Sequence, residues 1–341
     1  MKRAVVTGIS GQDAAYLAQL LLEKGYEVYG THRPSSERNF WRIEELGLKN
    51  AARLHLVEFE ATDLPSCRHL IESTRPDEIY NLAGQTSAVT AVTEPLLTAE
   101  ANGMAPVYLL EAIRLDSPAS KFFQAGSSEL FGEAKEVPQV ETTPFYPTNS
   151  YGVAKLFAHW AVVNYREAYG VFAATGILFN HESPLRGTDF VTRKITNTLA
   201  KIRLGLSEHL ELGNMNAKRD WGYARDFAAG MWAALQADCS DSYIFATNQQ
   251  HTVRDFVTMA GHAAGFELEW EGVATAEIGR DKITGKKLVC VNPDFYRSLE
   301  IHQRVGNPAK AAEKLGWRPA TPLAELCRLM VEADLRRNAH G

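Results

Sequence analysis

The chain has 341 residues, 45% of them hydrophobic and 23% charged, with a net charge of −5. That length exceeds one small domain and supports a large core. No basic run or RNA-type aromatic motif occurs, which argues against nucleic acid and anionic membrane as partners of the surface as a whole.

Apolar β-type runs alternate with amphipathic helical runs in the first half. "RAVVTG" (3–8) predicts a strand and "QDAAYLAQLLLEKG" (12–25) a helix ending at Gly25. Strands follow at 26–32, 52–59 and 77–84, then a helix over 98–115 and a strand at 121–127. The helix "YGVAKLFAHWAVVNYREAYG" (151–170) leads into the strand "VFAATGILFN" (171–180). Near-continuous apolar strands alternating with helices predict a parallel sheet covered on both faces. After residue 180 the rhythm breaks. "HESPLRGTDF" reads as a loop, 191–205 as a helix and 209–214 as a short strand. A helix at 223–236, a strand at 242–247 and helices at 252–266, 308–316 and 322–338 complete the chain.

The fold class expected is α/β: a Rossmann-type doubly wound parallel sheet with a smaller mixed α/β C-terminal domain. The expected division is 1–180, with 218–250 returning to it, as the dinucleotide-binding domain, and 181–217 with 251–341 as the substrate domain. Cys67, Cys239, Cys290 and Cys327 are scattered without CxxC spacing. They read as reduced thiols of a cytoplasmic protein, with no metal site. The N-terminal run is too short for a signal peptide, and no apolar stretch is long enough for a membrane span.

"TGISGQDAAYL" (7–17) joins the first strand to the first helix and reads Gly8-x-x-Gly11-x-x-Ala14. Small residues let the backbone turn tightly against a pyrophosphate, and the helix N-terminus supplies free N–H groups and a positive dipole end. In this strand–turn–helix context the pattern is strong. The second strand ends in Thr31, His32 and Arg33, followed by Pro34, Ser35 and Ser36, with no acidic residue to hold a ribose 2′-OH. An arginine with hydroxyls suits a 2′-phosphate, so the cofactor expected is NADP.

"SYGVAK" places Tyr151 and Lys155 at i and i+4, on one helix face. A cation beside a phenol favours the phenolate, which takes a proton from an alcohol as hydride leaves the carbon. Ser127, at a strand end upstream, offers a hydroxyl for the same oxygen. Ser, Tyr and Lys behind a glycine-rich nucleotide loop form a dehydrogenase site, and no G-x-S-x-G elbow is present. Glu129, in "AGSSELFG" (125–132), is unusual at a strand end: it is solvated, paired or chemically active.

With these motifs the chain resembles the extended short-chain dehydrogenases/reductases and, more narrowly, the GDP-mannose 4,6-dehydratase family. The carriers are "TGISGQDAAYL", "SSELFG", "ETTPFYPTNSYGVAKL", "VNYREAYG", "GILFNHESPLRG", "FVTRKIT", "LGNMNAKRDWGYARD" and "NPAKAAEKLGW". The resemblance implies that Glu129 is the base that removes the sugar C5 proton, beside Ser127, Tyr151 and Lys155. It implies cofactor contacts from Gly8, Ile9, Ser10, Gly11, Gln12, Asp13, Arg33, Leu82, Ala83, Gly84, Gln85, Tyr151, Lys155, His181 and Arg186. Glu60 and Ala61 stand where the family has an adenine-side Asp-Leu. Nucleotide-sugar contacts carry over to Asn180, Lys194, Arg219, Arg297 and Glu300. The substrate implied is a GDP-sugar and the assembly a homo-oligomer, a dimer or tetramer, with 33–41 reaching a neighbour.

Departures fall mainly around the hexose. Ser127 replaces Thr, Ala91 replaces Ser, "YPTNSYG" replaces an Arg-Ser-Pro lead, and "RSLEIHQRVG" (297–306) replaces a more regular segment. Pro34 replaces a second cofactor-side arginine. The guanosine-diphosphate motifs stand. Dehydration of another GDP-hexose or GDP-heptose, or a GDP-sugar reductase or epimerase on the same scaffold, is the alternative. Glu129 speaks against the latter two, which need no C5 base. A non-catalytic NADP-binding regulator is disfavoured because Tyr151 and Lys155 are both present.

Overall fold

The computed structural model describes residues 1–34, 39–296 and 304–339. The chain forms two compact units: 1–179 with 224–246 and 306–318, and 180–223 with 247–305 and 319–341.

The first unit is built on a seven-stranded parallel sheet. Its strand order is Ser242–Phe245, Ala173–Leu178, Lys121–Ala125, Glu78–Asn81, Arg3–Thr7, Glu27–His32 and Leu54–Glu58. Central strands are buried at nearly every position, which matches their unbroken apolar sequence, whereas the edge strand Leu54–Glu58 is mostly half-exposed. Val5, Ile79, Phe122 and Ala173 pack on one side with Leu109, Ile113 and Val162. Strand order reverses at Arg3–Thr7, which pairs with Glu27–His32 on one side and Glu78–Asn81 on the other. Loops diverge at such a switch point and open a crevice beyond the carboxyl ends of the strands.

A buried polar ladder joins those strand ends. The Thr7 hydroxyl donates to Asn81 Oδ1 at 2.7 Å and accepts from the N–H groups of Leu82 and Ala83 at 3.0 and 2.9 Å. Asn81 Nδ2 donates to Gln124 Oε1 at 2.8 Å, and Gln124 Nε2 donates to the Ala125 carbonyl at 3.0 Å. One hydroxyl uses its single donor and both acceptor positions.

Sequence periodicity smooths over several local features. The helix expected over 98–115 is broken by a π-turn, Glu100–Met104, between Pro95–Ala99 and Ala105–Asp116. The helix Leu64–Thr74 went unread, although Asp63 caps it by accepting from Ser66 N and proline stands in its first turn. The segment 306–318, expected in the substrate domain, lies in the first unit. There Trp317 donates to the Asp226 carbonyl at 2.8 Å and meets Phe245 edge-on at 4.8 Å.

In the second unit Leu268–Glu271, Ile278–Asp281 and Lys287–Val291 form an antiparallel meander, with Leu210–Leu212 added parallel to the last strand. The meander was not read from the sequence. Ile195, Leu199, Phe256, Val289, Leu326 and Met330 fill the core. A buried ion pair fastens Val191–Arg203 to Leu323–Ala339: Arg193 Nε donates to both Asp334 oxygens at 2.9 Å, and Thr196 Oγ1 to one of them at 2.8 Å. Among the described residues, no helix is long and apolar enough to cross a membrane.

Replacing Thr7 by Val keeps the shape but strands two half-buried N–H groups and the buried Asn81 oxygen. Denaturant unfolding is expected to lose about 1–3 kcal/mol, and Thr7→Ser to lose clearly less.

Candidate active site

Gly8 opens the loop after the first strand with φ +70°, in the left-handed region. A Cβ there would lie 2.9 Å from the Ala83 Cα, so glycine lets the two loops of the switch point approach. Ile9 N–H donates to the Thr31 carbonyl at 2.9 Å, which pins the loop to the second strand. The helix Gln12–Glu23 begins at Gly11, which has no side chain to cap it, and its positive dipole end stands at this loop. Loop closeness, the positive end of a helix and small side chains together fit a dinucleotide pyrophosphate. Ser10 and Asp13 belong to the same loop and first helical turn.

Arg33 is exposed just past the second strand. Arg42, which sequence reasoning missed, reaches back from Trp41–Glu45 and donates to the Ser10 carbonyl at 2.7 Å. A guanidinium therefore stands at the phosphate loop although Pro34 fills the position of the family's second arginine. Ser35 and Ser36 lie outside the described residues. Glu60 and Ala61 form the turn after the third strand: Glu60 Oε1 accepts from Thr62 N and Oγ1 at 3.2 and 2.8 Å, and the Ala61 carbonyl accepts from Cys67.

Leu82, Ala83, Gly84 and Gln85 follow the fourth strand as a loop, although 77–84 was expected to be strand throughout. Asn102, in the π-turn, supports that loop by donating to the Gln85 carbonyl at 2.9 Å. A Cβ on Gly84 would lie 2.5 Å from Asn102 Oδ1 and 3.7 Å from Lys155 Nζ. Asn102 carried no sequence signal, because a π-turn has no hydrophobic period of its own.

The catalytic candidates converge at the fifth strand's end. Ser127 follows Lys121–Ala125, and its Oγ accepts from Glu129 N at 3.2 Å, opening the short turn Ser128–Leu130. Glu129 is half-buried, and its Oε2 accepts from Asn149 Nδ2 at 2.9 Å. Asn149 Oδ1 accepts from Gly152 N at 2.7 Å and caps the helix Ser150–Tyr169, which carries Tyr151 and Lys155. One asparagine thus ties the carboxylate to the start of the Tyr–Lys helix.

Lys155 is buried, and its Nζ donates to the Ala125 carbonyl at 2.9 Å. Burial pushes its pKa down to about 8, so the ammonium form still prevails at neutral pH. Its Nζ lies 5.8 Å from the centre of the Tyr151 ring. A cation held there lowers the cost of a phenolate.

Asn180, His181, Arg186, Lys194 and Arg219 belong to the second unit. Asn180 and His181 sit on the strand Asn180–Glu182, paired with Trp221–Tyr223. Arg186 is ion-paired to Glu182 at 3.1 Å and stacks over Phe190. Lys194 lies 4.2 Å from the centre of the Phe295 ring, and desolvation lowers its pKa, with Glu211 opposing the shift. Arg219 donates to the Lys218 carbonyl at 2.7 Å and pairs with His251 across two short strands. Arg297 and Glu300 lie outside the described residues.

The family model described as GDP-mannose 4,6 dehydratase matches residues 5–330. The GDP-mannose 4,6-dehydratase of Yersinia enterocolitica is 44% identical over 352 residues, covering 99% of this chain and 95% of that protein. The GDP-mannose 4,6 dehydratase of Homo sapiens is 46% identical over 340 residues, covering 97% and 91%. A dTDP-glucose 4,6-dehydratase from Bacillus anthracis, solved in complex with NAD, has the same fold with a TM-score of 0.80 at 17% identity, covering 99% and 98%. Matched from its first strand into its last helix, the chain belongs to the GDP-mannose 4,6-dehydratase family.

Proposed function

We propose that the chain is a hydro-lyase that converts GDP-D-mannose to GDP-4-dehydro-6-deoxy-D-mannose and water by internal hydride transfer through NADP. The observation that carries the reading is Glu129, held by Asn149 at the start of the helix bearing Tyr151 and Lys155.

The cofactor would be held by the Gly8–Asp13 loop, Leu82–Gln85, Tyr151 and Lys155, with His181 and Arg186 further contacts. When bound, the nicotinamide supplies a hydride acceptor for sugar C4 and a hydride donor for C6, so no net redox change results. Tyr151 takes the 4-OH proton, Lys155 favours its phenolate, and Ser127 holds the same oxygen. The C4 ketone acidifies the C5 proton. Glu129 would remove that proton and, as the carboxylic acid, return it to the 6-hydroxyl, which leaves as water. Tyr151 would give the proton taken from the 4-OH back to C5, which closes the proton balance.

Arg33, with Arg42 at the Ser10 carbonyl, supports NADP over NAD. Lys194 and Arg219 suit the substrate diphosphate, and the names of the curated relatives support mannose as its sugar. A reductase or a C4 epimerase is not favoured, since neither removes the C5 proton. The four free thiols fit the reducing cytoplasm.

We further propose a homo-oligomer. Val153, Phe157 and Trp160 form an exposed apolar stripe at i, i+4 and i+7 of the Ser150–Tyr169 helix, and Leu96, on a helix packed beside it, is 80% exposed. Light scattering is expected to give a multiple of the monomer mass for the wild type and the monomer for Phe157→Glu with Trp160→Glu. A monomeric wild type contradicts the proposal.

The function is tested by incubating the protein with GDP-mannose in deuterated water, with NADP+ and with NAD+ separately. The expected product is a 4-keto-6-deoxy sugar carrying deuterium at C5, formed faster with NADP+ and without net cofactor reduction. Glu129→Gln is expected to lower turnover about 10²–10⁴-fold while C4 oxidation persists. Normal turnover by that variant, or a requirement for stoichiometric NADPH, would overturn the reading.

A further inference from the structure

The outer face of the second unit's sheet carries a cluster that the dehydratase chemistry does not use. Leu210 and Leu212 are buried, and Glu211 between them turns outward. His209, two positions earlier, shares its face. In the parallel neighbour, Val289 and Val291 are buried and Cys290 turns outward, opposite Glu211 in register. Residues far apart in sequence are thereby brought side by side by strand pairing.

One imidazole nitrogen, one carboxylate oxygen and the thiol sulfur all lie within 4.8 Å of one another. His209 Nε2 and Glu211 Oε1 are 3.4 Å apart. Ordinary zinc bond lengths in a tetrahedron give an N···O edge of about 3.3 Å and a sulfur edge of about 3.5 Å. The nitrogen–oxygen edge is already set, and rotation about the side-chain bonds brings in the sulfur. Glu211 Oε2 accepts from Asn292 Nδ2 at 3.1 Å, a second contact that orients the carboxylate as supporting groups do around metal ligands. Thiolate and imidazole donors select against Mg²⁺ and Ca²⁺, which take oxygen ligands.

We propose that His209, Glu211 and Cys290 form a binding site for a thiophilic divalent cation of the zinc class, with its fourth position open to solvent or a ligand. Glu211 is also the acidic neighbour of Lys194, so a cation there adds positive charge beside that lysine.

The test is titration of the full chain with Cd²⁺, following the thiolate-to-metal absorbance in the ultraviolet, with Co²⁺ as a second probe of tetrahedral geometry. The expected result is saturation at one equivalent. Cys290→Ser abolishes the absorbance, and His209→Ala and Glu211→Gln each weaken binding by roughly tenfold or more. Cys239→Ser, which removes the exposed thiol elsewhere, leaves it intact. Full absorbance in Cys290→Ser, or wild-type affinity in both His209→Ala and Glu211→Gln, would overturn the site. Circular dichroism checks folding. Should Cys290→Ser misfold, the two variants at the solvent-facing positions decide the matter.

Discussion

The hydrogen-bond ladder through Thr7, Asn81 and Gln124 is the constraint on which the rest of the first unit depends. Parallel strands meet at their carboxyl ends, where the chain departs into loops whose backbone groups have no sheet partner. Thr7 satisfies two of those groups, the N–H donors of Leu82 and Ala83, and donates its own hydrogen bond to Asn81 Oδ1. The ladder continues through Gln124 to the Ala125 carbonyl, which also accepts from Lys155. A buried network of this kind is costly when any member is left unpaired, so it holds the strand ends in one register. The glycine loop, the Leu82–Gln85 loop and Lys155 are thereby fixed against one another.

A second coupling sits beside it. Asn149 caps the Ser150–Tyr169 helix with one side-chain atom and holds Glu129 with the other. The same residue that sets where the helix begins also sets where the carboxylate stands relative to Tyr151 and Lys155. Dehydrogenation and dehydration require groups around adjacent carbons of one sugar ring. Linking the two sets through a cap is a direct way to keep their spacing. "YPTNSYG" departs from the family's usual lead to the tyrosine, yet its asparagine performs this double role.

Much of this was legible in the sequence. Apolar strands alternating with helices gave the parallel sheet, because strands buried on both faces have no polar alternation to hide them. The glycine loop and the Tyr–Lys pair were readable because their spacing follows helix and turn geometry. What failed depended on tertiary contacts. The π-turn at Glu100–Met104 interrupts a helix without changing its composition. The second-unit meander is short and half-exposed, and its sequence shows weak period. The return of 306–318 rests on Trp317 finding Asp226 and Phe245, which no local pattern announces. Cys290 comes to stand opposite Glu211 only through parallel pairing, which the scattered spacing of the cysteines does not announce.

In the proposed reaction one hydride leaves C4 and returns to C6 of the same sugar, while the residues around Glu129 expel water between those events. The measurement uses GDP-mannose carrying deuterium at C4, mixed with undeuterated substrate bearing carbon-13 throughout the hexose, with products resolved by mass spectrometry and NMR. Deuterium is expected at C6 of the carbon-12 product alone, with none lost to solvent and none crossing to the carbon-13 product. Deuterium appearing in free reduced cofactor, in water or in the carbon-13 product would contradict the proposed reaction.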